Sequence, residues 1–86
     1  MQITVTFRHM EAVENFKKYI EEKLARVKKY IDRPIEANIV LSVEKHRNIA
    51  DISIVANRIV INSKEETDNM YSSIDLVVDK IERQLR

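Results

Sequence analysis

Two pairs of cations stand at helical spacing in this chain, Lys23 with Arg26 and Lys80 with Arg83. Tyr19 and Tyr30 lie four residues before and four after the first pair. Rows of Lys and Arg at such spacing suit the regular repeat of phosphates on a nucleic acid, and interleaved tyrosines can stack on an exposed base or ribose. Other chemistry is hard to assemble. His9 and His46 are the only histidines, and there is no cysteine. No ligand spacing supports a metal site, so both are read as surface loop residues. Glu65, Glu66 and Asp68 imitate an acid–base pair, but acids just ahead of a helix are explained by its positive end. Serines 42, 53, 63, 72 and 73 have no histidine nearby in sequence, so no nucleophile, base and orienting group come together. The residues therefore indicate a binding module without metal or cofactor, not an enzyme.

The elements that must position these cations follow from hydrophobic period. Ile3, Val5 and Phe7 alternate with Gln2, Thr4 and Thr6, which predicts a half-buried strand over 2–7. Val13, Phe16, Ile20, Leu24, Val27 and Ile31 recur in steps of three and four, which predicts an amphipathic helix from about 12 to 31, stopped by Pro34. Residues 36–43 form a second strand with Ala37, Ile39, Leu41 and Val43 on one face. Residues 44–48 form a loop, and 49–56 a third strand with Ala50, Ile52, Ile54 and Ala56 inward. Asn57-Arg58 is a tight turn in which Arg stands where glycine is usual. Residues 59–63 form a fourth strand. Thr67 or Asp68 caps a last helix whose stripe is Met70, Ile74, Val77, Val78, Ile81 and Leu85. The order is β-α-β-β-β-α. The economical α+β fold is one four-stranded mixed sheet, its first two strands parallel, with both helices on one face. The other face carries Thr4, Thr6, Asn38, Val40, Ser42, Ser53, Val55, Val60 and Asn62, polar but for three valines.

Length and composition narrow the classes further. Eighty-six residues make one domain, 1–86. No apolar run approaches the ~18 residues of a membrane span. The start has no secretory pattern, and with no cysteine the chain fits a cytoplasmic setting. Fifteen Lys and Arg against fourteen Asp and Glu give a net charge of +1. Affinity for nucleic acid must then come from sorting charges onto faces. The absence of glycine removes every phosphate-cradling glycine loop. At 100° per residue, Tyr19, Lys23, Arg26 and Tyr30 fall at about 220–280° from Val13, a sector with no acid of that helix. Lys17, Lys28, Glu14 and Glu21 mix on the other flank. In the last helix Lys80 and Arg83 fall at about 280° and 220° from Met70, while Asp75, Asp79, Glu82 and Arg86 share about 120–180°. The plain alternative is a solvated helix face, with Tyr19 and Tyr30 covering the edge of the core.

Particular strings go beyond periodicity. Val40-Leu41-Ser42-Val43-Glu44-Lys45-His46-Arg47, then Ala50-Asp51-Ile52 and Ala56-Asn57, resemble the central hairpin of the ribosome hibernation promoting factor family (also the sigma-54 modulation family). Asp68-Asn69-Met70-Tyr71-Ser72-Ser73-Ile74-Asp75 and Val78-Asp79-Lys80-Ile81-Glu82-Arg83-Gln84-Leu85 resemble its second helix. Arg8-His9, Glu21-Glu22-Lys23-Leu24 and Tyr30-Ile31-Asp32-Arg33 resemble its first turn and first helix. The resemblance spans the chain in order. It implies a fold similar to double-stranded-RNA-binding domains (dsRBD-like). It also implies binding to the small ribosomal subunit, in the channel of mRNA and tRNA anticodon ends, and a block of translation in stationary phase without chemistry. It carries rRNA contacts to Lys23, Arg26, Lys29, Lys80, Arg83 and Arg86, and secondarily to Arg8, His9 and Arg33. The chain departs from the family at Phe7 and Arg58, where the family has turn glycines, so both turns are expected to be reshaped. The family's C-terminal pairing domain and basic tail have no counterpart here, as in a short form or an N-terminal domain. Two other functions stay open: a general double-stranded-RNA binder, and a protein module that pairs through the open sheet face.

Overall fold

Hydrophobic alternation and helical stripes assemble as one sheet with two helices. The computed structural model describes residues 1–31 and 35–86. Its elements are β1 (Gln2–Arg8), α1 (Glu14–Leu24), a 3₁₀ segment (Val27–Tyr30), β2 (Glu36–Glu44), β3 (Arg47–Ala56), β4 (Ile59–Thr67) and α2 (Met70–Leu85). The sheet order is β1-β2-β3-β4, with β1 and β2 parallel and the other neighbours antiparallel. Register sorts residues into rows that share a face. Ile3, Ala37, Ile54 and Ile61 form one row on the core side, and Val5, Ile39, Ile52 and Ser63 the next. Thr4, Asn38, Ser53 and Asn62 form a row on the open side. A slip of one residue would exchange the two sets, so burial enforces the register.

Ile20, Leu24 and Val27 enter the core beside Met70, Ile74, Val77, Val78 and Ile81 of α2. Each such side chain contributes about 1.5–3 kcal/mol when fully buried. The helices run parallel, because partners advance together along both. Phe16 meets Tyr71 edge-on at 5.1 Å between ring centroids, and Tyr19 meets the same ring at 4.9 Å. Further along, Arg26 reaches Asp79.

Four boundaries differ from the sequence expectation. The first helix ends at Leu24, not near 31, and the chain tightens into 3₁₀ winding. There the hydrogen bonds step back three residues, Arg26 N–H to the Lys23 carbonyl and Ile31 N–H to that of Lys28. The expected stop at Pro34 lies outside the described residues. The loop after β2 shrinks to Lys45-His46, because Glu44 and Arg47 are already paired. β4 runs on to Thr67. Glu65 and Glu66 therefore sit in a strand and bind Lys80 and Arg47, rather than answering the positive end of α2. The cap of α2 is Asn69, not Thr67 or Asp68. Its side chain accepts from the Tyr71 and Ser72 N–H groups at 2.9 and 3.3 Å.

Without glycine, left-handed positions fall to His9, Lys45, Asn57 and Arg58, with φ of 57°, 57°, 44° and 76°. The β3–β4 turn keeps two consecutive positive-φ residues between the paired Ala56 and Ile59. Arg58 holds the second of these positions at φ 76° and carries the strain that a glycine would not. Arg58→Gly is expected to raise unfolding free energy by about 0.5–1 kcal/mol. Relief of roughly 1–2 kcal/mol is partly offset by a freer unfolded chain. The denaturant midpoint should rise with no change of slope.

A second weakness lies inside. Ser63 is buried in a core row and its Oγ has no hydrogen-bond partner among the described residues. Ser73, equally buried, donates to the Asn48 carbonyl at 2.7 Å and meets Thr67 Oγ1 at 2.8 Å. An unpaired buried hydroxyl costs about 1–3 kcal/mol. Ser63→Ala is therefore expected to stabilise by about 1 kcal/mol and Ser73→Ala to destabilise by about 1–2 kcal/mol, both read by denaturant unfolding.

Candidate nucleic-acid interface

The basic flank of α1 does not face open solvent alone. The parallel packing turns Tyr19, Lys23 and Arg26 toward α2, and the residues α2 turns back are Asp75 and Asp79. Lys23 Nζ lies 3.4 Å from Asp75 Oδ1, and Arg26 Nη2 donates to Asp79 Oδ1 at 3.0 Å. Tyr19 Oη donates to Asp75 Oδ1 at 2.5 Å. The sector empty of acids within the first helix is filled by acids of the second. Tyr19 is thus committed to Tyr71 and Asp75 and is not a free stacking surface.

The hydrogen bond to Asp75, followed by partial burial and the carboxylate's own charge, raises the Tyr19 phenol above its ordinary value of 10.0, with Lys23 working against the rise. On the hairpin side, Arg47 donates to both carboxylate oxygens of Glu66, at 2.8 and 2.7 Å. Those bonds hold the Glu66 carboxyl below its ordinary range. Both groups are exposed, and this pair ties β3 to β4 rather than joining the helix surface.

The remaining candidates spread out. Lys80 points away from α1 and reaches Glu65 of β4 at 3.2 Å. Arg86 lies 3.9 Å from Glu82, as their shared sector predicts. Arg83 has no carboxylate within ion-pair distance among the described residues, and it lines a shallow outer dip with Leu76, Asp79, Glu82 and Arg86. Lys29 Nζ sits over the Tyr30 ring at 5.3 Å from its centroid. That ring lines an apolar groove with Ile54, Ile59 and Leu85 at the hairpin end.

Arg8 is paired in register with Ser42 on the open face of the sheet. With His9, Glu44, Asp51 and Lys64 it rims a polar depression there. Arg8 and His9 are therefore not joined to the helix cations. Arg33 lies outside the described residues. The basic flanks do not merge: Lys23 and Arg26 line the junction of the helices, Arg83 sits on the outer crest, and Lys80 leans over β4. The residues missed from sequence are Asp75 and Asp79 as partners of the α1 cations. Their signal was present as complementary rows, the cations three residues apart and the acids four, on two helices expected to share a face.

A four-stranded mixed sheet with two parallel helices on one face and cations on the helices defines an α+β domain of β-α-β-β-β-α order. Comparison with known proteins gives the family. The family described as Sigma 54 modulation protein / S30EA ribosomal protein matches residues 3–86. The ribosome hibernation promoting factor of Pseudomonas putida is 33% identical over 88 residues, covering 100% of this chain and 84% of that one. The N-terminal domain of Protein Y from Thermus thermophilus superposes with a TM-score of 0.92 at 31% identity, over 99% of this chain and 96% of that one. A ribosomal subunit interface protein from Coxiella burnetii gives 0.86 at 29% identity, over 99% and 93%. The chain belongs to the S30EA, or ribosome hibernation promoting factor, family. That is a family of hibernation factors and not of enzymes. No helix among the described residues is long and apolar enough to cross a membrane.

The Tyr19–Asp75 bond has a pH signature. The folded state holds the phenolic proton more tightly than the unfolded chain. Its contribution is full below about pH 10 and is lost as pH rises through the raised folded value. Denaturant unfolding at pH 9, 10 and 11 is expected to show a steeper alkaline loss of stability in the native chain than in Tyr19→Phe.

Proposed function

We propose that this chain is a ribosome hibernation factor that binds the small ribosomal subunit at the mRNA and tRNA decoding channel and blocks translation by occupancy. The observation that carries this reading is the full-length similarity to a ribosome hibernation promoting factor, at 33% identity over all of the chain. A similar fold in a ribosomal subunit interface protein supports it. Nothing in the proposed action requires a reacting group, a metal or a cofactor.

The rRNA-facing residues in this reading are Lys23, Arg26, Lys29, Lys80, Arg83 and Arg86, with Arg8, His9 and Arg33 as secondary contacts. They differ in readiness. Arg83 and Lys29 meet no carboxylate within ion-pair distance among the described residues. Lys23, Arg26, Lys80 and Arg86 each have one. The Arg26–Asp79 pair is exposed on both sides, and exposed pairs are worth only about 0–1 kcal/mol, so a phosphate can take the carboxylate's place there; the other three pairs each include a partly buried partner. Arg33 enters from the family resemblance alone.

A second reading has one observation in its favour. Val55 and Val60 are cross-strand partners on the open face, 39% and 67% exposed. A protein partner docked there would leave the helix cations idle.

Co-sedimentation with purified small subunits separates the readings. Binding is expected at low salt, with log affinity falling against log salt at a slope of roughly −3 to −5 for about four to six displaced counterions. Excess mRNA or initiator tRNA should displace the protein, and simple RNA duplex should displace it poorly. Finding the chain only in the free fraction at low salt would refute the proposal. Displacement by duplex alone would favour a general double-stranded-RNA binder.

A further inference from the structure

We propose that Asp75 and Asp79 are selectivity residues, built-in stand-ins for phosphate that hide Lys23 and Arg26 from generic RNA. The inference rests on the ribosome-binding reading for its specific target, but its physical basis is local. Asp75 and Asp79 are one helical turn apart, about 6 Å along the axis, and present two anionic groups in succession. They meet Lys23 at the end of α1 and Arg26 just beyond it, at 3.4 and 3.0 Å. Two consecutive backbone phosphates would meet the same cations in the same way. The four charges sum to zero, so at a distance the helix junction is neutral in a chain whose net charge is only +1.

The two acids are not equally free to leave. Asp75 is held by Tyr19 at 2.5 Å, whereas Asp79 has only Arg26 among the described residues. Lys23 offers Asp75 a compact ammonium, and Arg26 offers Asp79 a planar, directional guanidinium. RNA that slides over the surface uses cations as point charges, and its affinity is counterion release. It gains little where each cation already has a carboxylate. A target that seats a phosphate against the Arg26 guanidinium, with further contacts at Arg83 and Lys29, exchanges one anion for another at close range. A planar guanidinium favours such a phosphate through paired hydrogen bonds. The acids therefore cost a generic duplex most of what it would gain at the junction, and cost a shaped target much less.

The test compares the native chain with Asp75→Asn/Asp79→Asn, binding separately to a random-sequence RNA duplex and to small subunits. Asn keeps the shape of Asp and an acceptor for Tyr19. For the duplex, affinity is expected to rise roughly tenfold, with a salt slope steeper by about 1.8 for two released cations. Affinity for subunits is expected to change less than threefold. Glu14→Gln/Glu21→Gln is the control. It makes the same change of net charge on the opposite flank, where neither residue has an ion-pair partner among the described residues, and it should leave the duplex slope unchanged.

Equal effects in the two double variants would show diffuse electrostatics and overturn the proposal. So would a subunit affinity that rises as much as the duplex affinity. If the double variant unfolds, Asp79→Asn alone leaves the Tyr19–Asp75 bond intact and is expected to steepen the duplex slope by about 0.9. An unchanged slope there also overturns the idea. If the native chain does not bind subunits at all, the functional reading fails, while the duplex measurements still decide whether the acids mask the cations.

Discussion

Two parallel helices on one face of a twisted sheet must each bury a stripe, and that constraint decides which flank of each helix meets the other. Once Ile20, Leu24 and Val27 point down and Ile74, Val77 and Ile81 do the same, the flanks between them have no freedom left. Tyr19, Lys23 and Arg26 must face Asp75 and Asp79. Burial costs outweigh the electrostatic preferences here, because each buried aliphatic side chain is worth more than an exposed ion pair. The charges are arranged to suit the packing rather than the reverse. Tyr71 illustrates this: its ring receives Phe16 and Tyr19 edge-on, and the charged pairs lie further along the same junction.

Most of the fold was legible because period-two and helical patterns report burial directly. Ala37, Ile39, Leu41, Ile52 and Ile54 announced two central strands, and all are buried. The parallel pairing of β1 with β2 followed from the long connection between them. What escaped was structure held by pairing rather than by pattern. Lys64, Glu65 and Glu66 look like a loop, yet they continue β4 because Asp51, Ala50 and Ile49 of β3 lie opposite with backbone groups to satisfy. Charged residues suit that exposed edge strand, which also discourages edge-to-edge association. Asn69, Asp68 and Thr67 are all good caps by type, so residue type alone does not choose among them. The chain's direction into α2, with Asn69 still extended at φ −144°, chooses among them.

The candidate cations were legible by residue type, but not the carboxylates the fold sets against them. A helical wheel compares charges within one helix, and by that measure the flank of α1 was acid-poor. The acids that matter stand more than fifty residues away in sequence. The tightening after Leu24 adds a second error. A 3₁₀ turn advances 120° per residue, so positions such as Lys29 and Tyr30 drift from a wheel drawn at 100°. Tyr30 therefore ends beside the apolar groove at the hairpin end, while Tyr19 lies in the helix junction. The family resemblance supplied Lys29 and Arg86, which the wheel did not single out. It also supplied Arg8 and His9, which the sheet carries to its opposite face.

A chain of nearly balanced charge that is to recognise one nucleic-acid surface faces a general difficulty. Cations left free attract every phosphate, and cations fully paired attract none. Exposed intramolecular pairs of about 0–1 kcal/mol lie between those extremes, because they silence long-range attraction yet yield at contact. Four of the six candidate cations are paired, through Asp75, Asp79, Glu65 and Glu82, and the Arg26–Asp79 pair, exposed on both sides, is the one most fully in that condition. Arg83 on the outer crest and Lys29 beside Tyr30 are the two exceptions among the described residues, and in the proposed reading they are the first points of contact for an approaching phosphate. The same acids that keep the chain near neutrality thus sort its cations by the closeness of approach needed to use them.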